Sequence, residues 1–152
     1  MKTKIISAFP GTGKTYYASN IKRTAKVVDL DTYRYTLGYT DDGKARNKDF
    51  PNNYLIAVKK HLGETDILFV GCQPEVITSL RDAGLSFTIV YPERALKDEY
   101  VKRYRQRHNH GSFINLLSKN WNFLLDFLEK QENCKHIVLG SGQYIGDIVN
   151  SI

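Results

Sequence analysis

Ala8-Phe9-Pro10-Gly11-Thr12-Gly13-Lys14-Thr15 follows directly on the apolar run Lys4-Ile5-Ile6-Ser7-Ala8-Phe9 and precedes the helix-compatible stretch Thr15 to Ile21. Strand, glycine loop and helix in that order form an arrangement in which a backbone can wrap an anion. Glycines let the N–H groups turn inward around a phosphate, a lysine in this place reaches the outer phosphate oxygens, and a threonine hydroxyl after it can ligate Mg²⁺. The spacing is four residues between Ala8 and Gly13-Lys14-Thr15, with the small Ala8 where a leading glycine is common. Pro10, Gly11, Thr12, Gly13, Lys14 and Thr15 are therefore the expected phosphate-binding residues, and a nucleoside triphosphate with magnesium is the expected ligand.

The remainder of the chain alternates apolar runs with helical periodicities. Strands are expected over 25–31, 66–72, 87–91 and 136–139, in addition to the one at 4–9. Helices are expected over 52–62, ending at Gly63, over a segment around Val76 to Leu80, ending at Gly84, and over 96–107. A single long helix is read from the stripe Leu116, Leu117, Trp121, Leu124, Leu125 and Leu128, with a short helical close from Tyr144 to Val149. The polar stretch Gly38 to Pro51 reads as a surface excursion. Strands interleaved with helices give an α/β domain with a five-stranded, mostly parallel sheet and helices on both faces. A chain of 152 residues fits one domain, 1–152, and a domain of this size buries roughly 70% of its unfolded surface.

Composition narrows the partners without naming one. The net charge of +6 suits phosphate-bearing ligands and admits nucleic acid. Cys72 and Cys134 are the only cysteines, which argues against a disulfide framework or a thiolate metal site and points to a reducing, cytoplasmic setting. No apolar stretch reaches the length of a membrane span, so no membrane partner is expected. His108 and His110 lack a third ligand at suitable spacing. Oligomeric state is left open.

Together, the opening strand and glycine loop, the acidic end of the second strand with its Tyr33-Arg34 continuation, and the arginine-rich segment after the fourth strand resemble the P-loop kinases of nucleosides, nucleotides and polynucleotide ends. More narrowly, Asp31-Thr32-Tyr33-Arg34, Arg46-Asn47 and Phe50-Pro51-Asn52-Asn53-Tyr54 resemble small bacteriophage-encoded proteins described as nucleoside monophosphate kinases. The resemblance covers most of the chain and implies a P-loop NTPase fold with a small helical lid at about 94–112 and an acceptor-binding segment at about 34–62. It implies that Asp31 accepts a proton from the acceptor or orients Mg²⁺ together with Thr15, and that Asp29, Arg34 and Tyr54 contact the acceptor. Lid arginines would close on the phosphates; Arg103 and Arg107, four residues apart, share a helix face and are the expected pair. The turn Gly140 to Tyr144, through Gly142 and Gln143, would contact adenine.

Two departures shape the functional expectation. Val70-Gly71-Cys72-Gln73 supplies no acid where P-loop ATPases usually carry one for magnesium. Asn47-Lys48-Asp49 falls one residue short of the guanine-reading pattern of GTPases. The expected activity is ATP-dependent phosphoryl transfer to a nucleoside or deoxynucleoside monophosphate. The alternatives are a kinase of polynucleotide 5′-hydroxyl ends or of modified bases in DNA, and a nucleotide-binding regulator without catalysis.

Overall fold

The computed structural model describes residues 2–20, 25–40 and 43–152. The chain forms an α/β fold around a five-stranded sheet in which every pairing is parallel. Its strands are β1 (Lys4–Ala8), β2 (Val27–Asp29), β5 (Ile67–Val70), β6 (Thr88–Pro92) and β7 (Lys135–Leu139), in the spatial order β2-β5-β1-β6-β7. The expected parallel sheet is thus present, with strand ends differing by one or two residues.

Side chains on a strand alternate between faces, and the two faces of this sheet carry two separate cores. Ile6, Ala8, Phe69, Val90 and Leu139 join Ile145 and Val149 on one face. The helices there are α1 (Lys14–Asn20) and α8 (Ile145–Ile148). Ile5, Leu68, Val70, Ile89 and Tyr91 belong to the larger core on the opposite face. That core receives α3 (Asn52–His61), α4 (Pro74–Asp82), α5 (Lys97–Gln106), α6 (Gly111–Lys119) and α7 (Trp121–Glu129). The helix expected from Thr15 to Ile21 is described as far as Asn20; Ile21 lies outside the described residues.

Two local readings need correction. The stretch from Gly38 onward is more than a surface excursion, because β3 (Leu37–Thr40) and β4 (Gly43–Arg46) pair antiparallel as a separate two-stranded sheet after the short α2 (Tyr33–Thr36). Residues 41 and 42 of the expected acceptor-binding segment lie outside the described residues. The single helix expected along the Leu116–Leu128 stripe is divided at Asn120, whose backbone leaves helical geometry at φ −100°, ψ 12°. Its side-chain amide donates to Leu116 O at 2.8 Å, a local bond that competes with a regular backbone ladder and that apolar periodicity does not register.

Tyr54 explains how α3 is fixed to the sheet. Its hydroxyl donates to Leu30 O at 2.6 Å and accepts from Gly71 N–H at 3.2 Å, tying the end of β2 to the end of β5. The residue is 1% exposed, and burial raises the phenol far above its ordinary pKa, only partly opposed by the Gly71 N–H, so it stays neutral. Tyr54→Phe removes the partner of two half-buried backbone groups, Leu30 O and Gly71 N–H. The expected cost is about 1–3 kcal/mol of unfolding free energy, measured by chemical denaturation with an unchanged circular dichroism spectrum.

Candidate functional site

In an open parallel sheet, ligands collect at the carboxyl ends of the strands where the chain order turns outward on both sides. Here that point is β1, with β5 on one side and β6 on the other. A cleft of ≈ 1920 Å³ opens over those ends. Its floor is formed by the glycine loop, the end of β2 at Asp29 and the Gly71-Cys72-Gln73 turn after β5.

The loop owes its shape to two glycines. Gly11 has φ +87° and Gly13 φ +89°, a region that side-chain-bearing residues rarely adopt. A methyl group at Gly11 would also lie 2.9 Å from Tyr104, and one at Gly13 would lie 3.0 Å from Tyr144. The Thr12 hydroxyl donates to Phe9 O at 2.7 Å, drawing the loop back onto the strand. Thr12 closes a turn back onto Phe9, and among the described residues the backbone N–H groups of Gly13, Lys14 and Thr15 have no hydrogen-bond acceptor, whereas the ladder resumes with Tyr17 N–H on Gly13 O at 2.9 Å. A run of unpartnered N–H groups in such a loop forms a concavity suited to an anion. Lys14 Nζ lies at the same place, donating to Ala8 O at 3.2 Å.

The two acids of the β2 end have different surroundings. Asp29 Oδ2 accepts from the Thr15 hydroxyl at 2.5 Å, while its Oδ1 is buried and unpartnered. Asp31 is exposed at the cleft wall, and its Oδ1 accepts from Tyr33 N–H at 3.0 Å, fixing the entry to α2. The carboxylate in contact with Thr15 is therefore Asp29. Gln73 occupies the position after β5 where an acid was missed. Its amide donates to Thr32 Oγ1 at 2.7 Å, and its Oε1 is buried without a partner. No group of three or more His, Cys, Asp or Glu that could hold a metal occurs among the described residues. A cation here would depend on Thr15, a single carboxylate and a phosphate-bearing ligand.

The remaining expected residues are placed unevenly. Tyr54 does not contact the cleft, because its side chain is spent joining two strand ends within the core. Arg34 is exposed on α2 and also lies outside the cleft lining. Arg46, which pairs with Glu75 at 3.7 Å, lines the cleft instead. Arg107 is exposed and lines the cleft, but Arg103 is 7% exposed and donates to Gly11 O at 2.8 Å. Tyr100 and Tyr104 fix the inner face of α5 in the core, with Tyr104 donating to Pro10 O at 2.8 Å. Within the expected lid, Arg105 to His108 and His110 to Ser112 are exposed. Arg94 is engaged by Asp126 and Glu129 of α7 at 2.6 and 3.1 Å.

Gly142 and Gln143 build the turn after β7 and do not line the cleft; Tyr144, Gly146 and Asp147 do. Gly142 N–H donates to Glu99 Oε2 at 3.2 Å, and the Ser141 hydroxyl donates to Glu99 Oε1 at 2.5 Å. Those bonds, Ser141 foremost, hold the Glu99 carboxyl below the usual carboxylate range, and the Arg103 charge adds to them. The cleft is also lined by Phe113, Leu116 and Phe123 of α6 and α7, of which the sequence reading places only Leu116, in a core stripe. Leu116 and Phe123 are solvent-exposed; the apolar stripe includes Leu116 but not Phe123, and periodicity alone does not distinguish a core stripe from a cleft wall.

Cys72 lines the cleft floor, yet burial raises its thiol to a pKa of about 11 against the opposing charge of Lys14. Thiolate is the reactive form, so Cys72 should be alkylated by iodoacetamide at pH 8 more slowly than the partly exposed Cys134. Peptide mass spectrometry over a time course measures the order of modification.

Compared with known proteins, the chain matches no family model and no curated sequence.

Proposed function

We propose that this chain is an ATP-dependent phosphotransferase whose acceptor is a nucleoside or deoxynucleoside monophosphate. The observation that carries the reading is the glycine loop itself: successive N–H groups without acceptors, bounded by Lys14 and by the Thr15–Asp29 pair. Phosphoryl transfer asks little covalent chemistry of a protein; it asks for a cradle, positive charge and an oriented acceptor.

In this reading the backbone of Gly11 to Thr15 binds the inner phosphates, and Lys14 leaves Ala8 O to meet the outer phosphate oxygens. The Thr15 hydroxyl and Asp29, whose second oxygen is buried and unpartnered, are the residues that would hold Mg²⁺, which when bound supplies charge neutralisation at the phosphates. Asp31, exposed at the wall, faces the space in which an acceptor would lie and is the group available to orient or deprotonate it. Arg46 and Arg107 bring the positive charge that an acceptor phosphate requires. The cleft volume of ≈ 1920 Å³ exceeds the roughly 300–1,000 Å³ typical of a one-ligand pocket, which fits two nucleotide-sized substrates side by side.

A second reading, nucleotide binding without transfer, is favoured by Gln73 standing where an acid would assist magnesium. Single-turnover transfer from γ-labelled ATP, tested against nucleosides, monophosphates and 5′-hydroxyl oligonucleotides, separates the readings. Label on a monophosphate is the expected result. Label on an oligonucleotide end identifies a polynucleotide kinase, and ATP binding with no labelled acceptor supports the regulator.

A further inference from the structure

A guanidinium buried as deeply as that of Arg103 is tolerated only when its donors and faces are occupied, and here they are. Nη1 donates to Gly11 O at 2.8 Å, and Nη2 donates to Glu99 Oε2 at 3.1 Å and to Gln143 O at 3.4 Å. The planar group also lies 4.3 Å from the Tyr100 ring centroid and 4.0 Å from that of Tyr144. One cation thereby joins α5, the glycine loop and the turn that follows β7. A second bond ties the same two loops independently, from Ile145 N–H to Thr12 O at 2.9 Å.

Tyr144 is the outward end of this assembly. It packs on Arg103 and closely against Gly13, yet it is 44% exposed and lines the cleft. A flat aromatic ring, backed by a cation and set beside a phosphate cradle, suits the plane of a nucleobase. Movement of that ring is not local. Displacing Tyr144 disturbs the face on which Arg103 rests, and Arg103 holds the carbonyl of a glycine with no spare room against Tyr104.

We propose that Arg103 is a positioning residue that couples the Tyr144 turn to the glycine loop, so that a nucleobase stacked on Tyr144 and the phosphates in the loop are bound as one unit. The inference rests on the nucleotide-binding reading above and adds to it a base platform, Tyr144, and a link from that platform to the phosphates. It also gives Arg103 a task different from that of a lid arginine, whose donors must be free to reach a ligand.

Calorimetric titration with ATP and with inorganic tripolyphosphate tests the coupling in the wild-type chain, Arg103→Met, Tyr144→Leu and the double variant. The wild type should prefer ATP, and Tyr144→Leu should lose most of that preference and also weaken tripolyphosphate, which never touches the platform. Arg103→Met should weaken both ligands by roughly tenfold, within the usual range of coupling between sites. For tripolyphosphate the double variant should bind no worse than Arg103→Met alone, because the link is already cut. Thermal unfolding without ligand is measured in parallel, since a purely structural role lowers the midpoint but leaves the two affinity losses additive. Additive losses of tripolyphosphate affinity, or unchanged tripolyphosphate affinity in folded Arg103→Met, overturn the proposal. Where Arg103→Met does not fold, Arg103→Lys keeps the charge without the planar fork, and the same cycle with the same criteria decides. A wild-type chain that binds neither ATP nor tripolyphosphate defeats the nucleotide-binding reading itself, a result distinct from binding with an additive cycle.

Discussion

Lys14→Ala is expected to lower phosphoryl transfer by about two to three orders of magnitude, in line with the loss of a single charge aimed at the transferring group. Among the described residues the side chain is tethered through Ala8 O alone, at 3.2 Å, and belongs to neither apolar core, so its removal should leave the unfolding midpoint close to that of the wild type. ATP affinity should fall as well, because the lysine meets the phosphates in the ground state. Initial rates with labelled ATP, together with equilibrium binding and thermal unfolding, check all three expectations. Normal turnover in the folded variant would remove the glycine loop from the mechanism.

Asp29→Asn should be nearly as damaging, and more so than Asp31→Asn. Asp29 accepts the Thr15 hydroxyl at 2.5 Å, and its other oxygen is buried with no partner. An amide in its place brings N–H donors and removes the charge from that position. The expected loss is about 10²-fold or more in turnover, with a steeper dependence on magnesium concentration. Asp31→Asn keeps an oxygen able to accept from Tyr33 N–H, so α2 should remain in place and any loss should appear as a change in turnover with ATP affinity intact. Steady-state kinetics across a magnesium series distinguish the two acids. Equal and small effects would mean that neither carboxylate serves the reaction.

The sheet and its helices could be read from the sequence because buried parallel strands are written as apolar runs, as in Ile67-Leu68-Phe69-Val70. The glycine loop was equally legible, since positive φ at Gly11 and Gly13 is a demand that residue type meets directly. What escaped depends on tertiary partners. Nothing local distinguishes Arg103 from Arg107, yet one is buried between two tyrosines and a loop carbonyl while the other is exposed. Tyr54 carried a resemblance to substrate-contacting positions, but its hydroxyl is committed to two strand ends. The contact between the Thr15 hydroxyl and Asp29 is likewise made across the sheet edge and has no local signature.

The central place of β1 has a consequence for the order in which the molecule is made. Ile5 is paired with Leu68, and Ala8 with Val90, so during synthesis β1 waits for partners encoded some sixty to eighty positions later. Long-range parallel pairing of this kind slows folding, because chain closure must precede the contacts that reward it. The glycine loop waits longer still: its Thr12 carbonyl is met by Ile145 and its Gly13 backbone by Tyr144. A nascent chain carrying the whole loop but stopping short of those residues would lack part of the scaffold that shapes it, so ligand capture should switch on late in synthesis, after the sheet has closed.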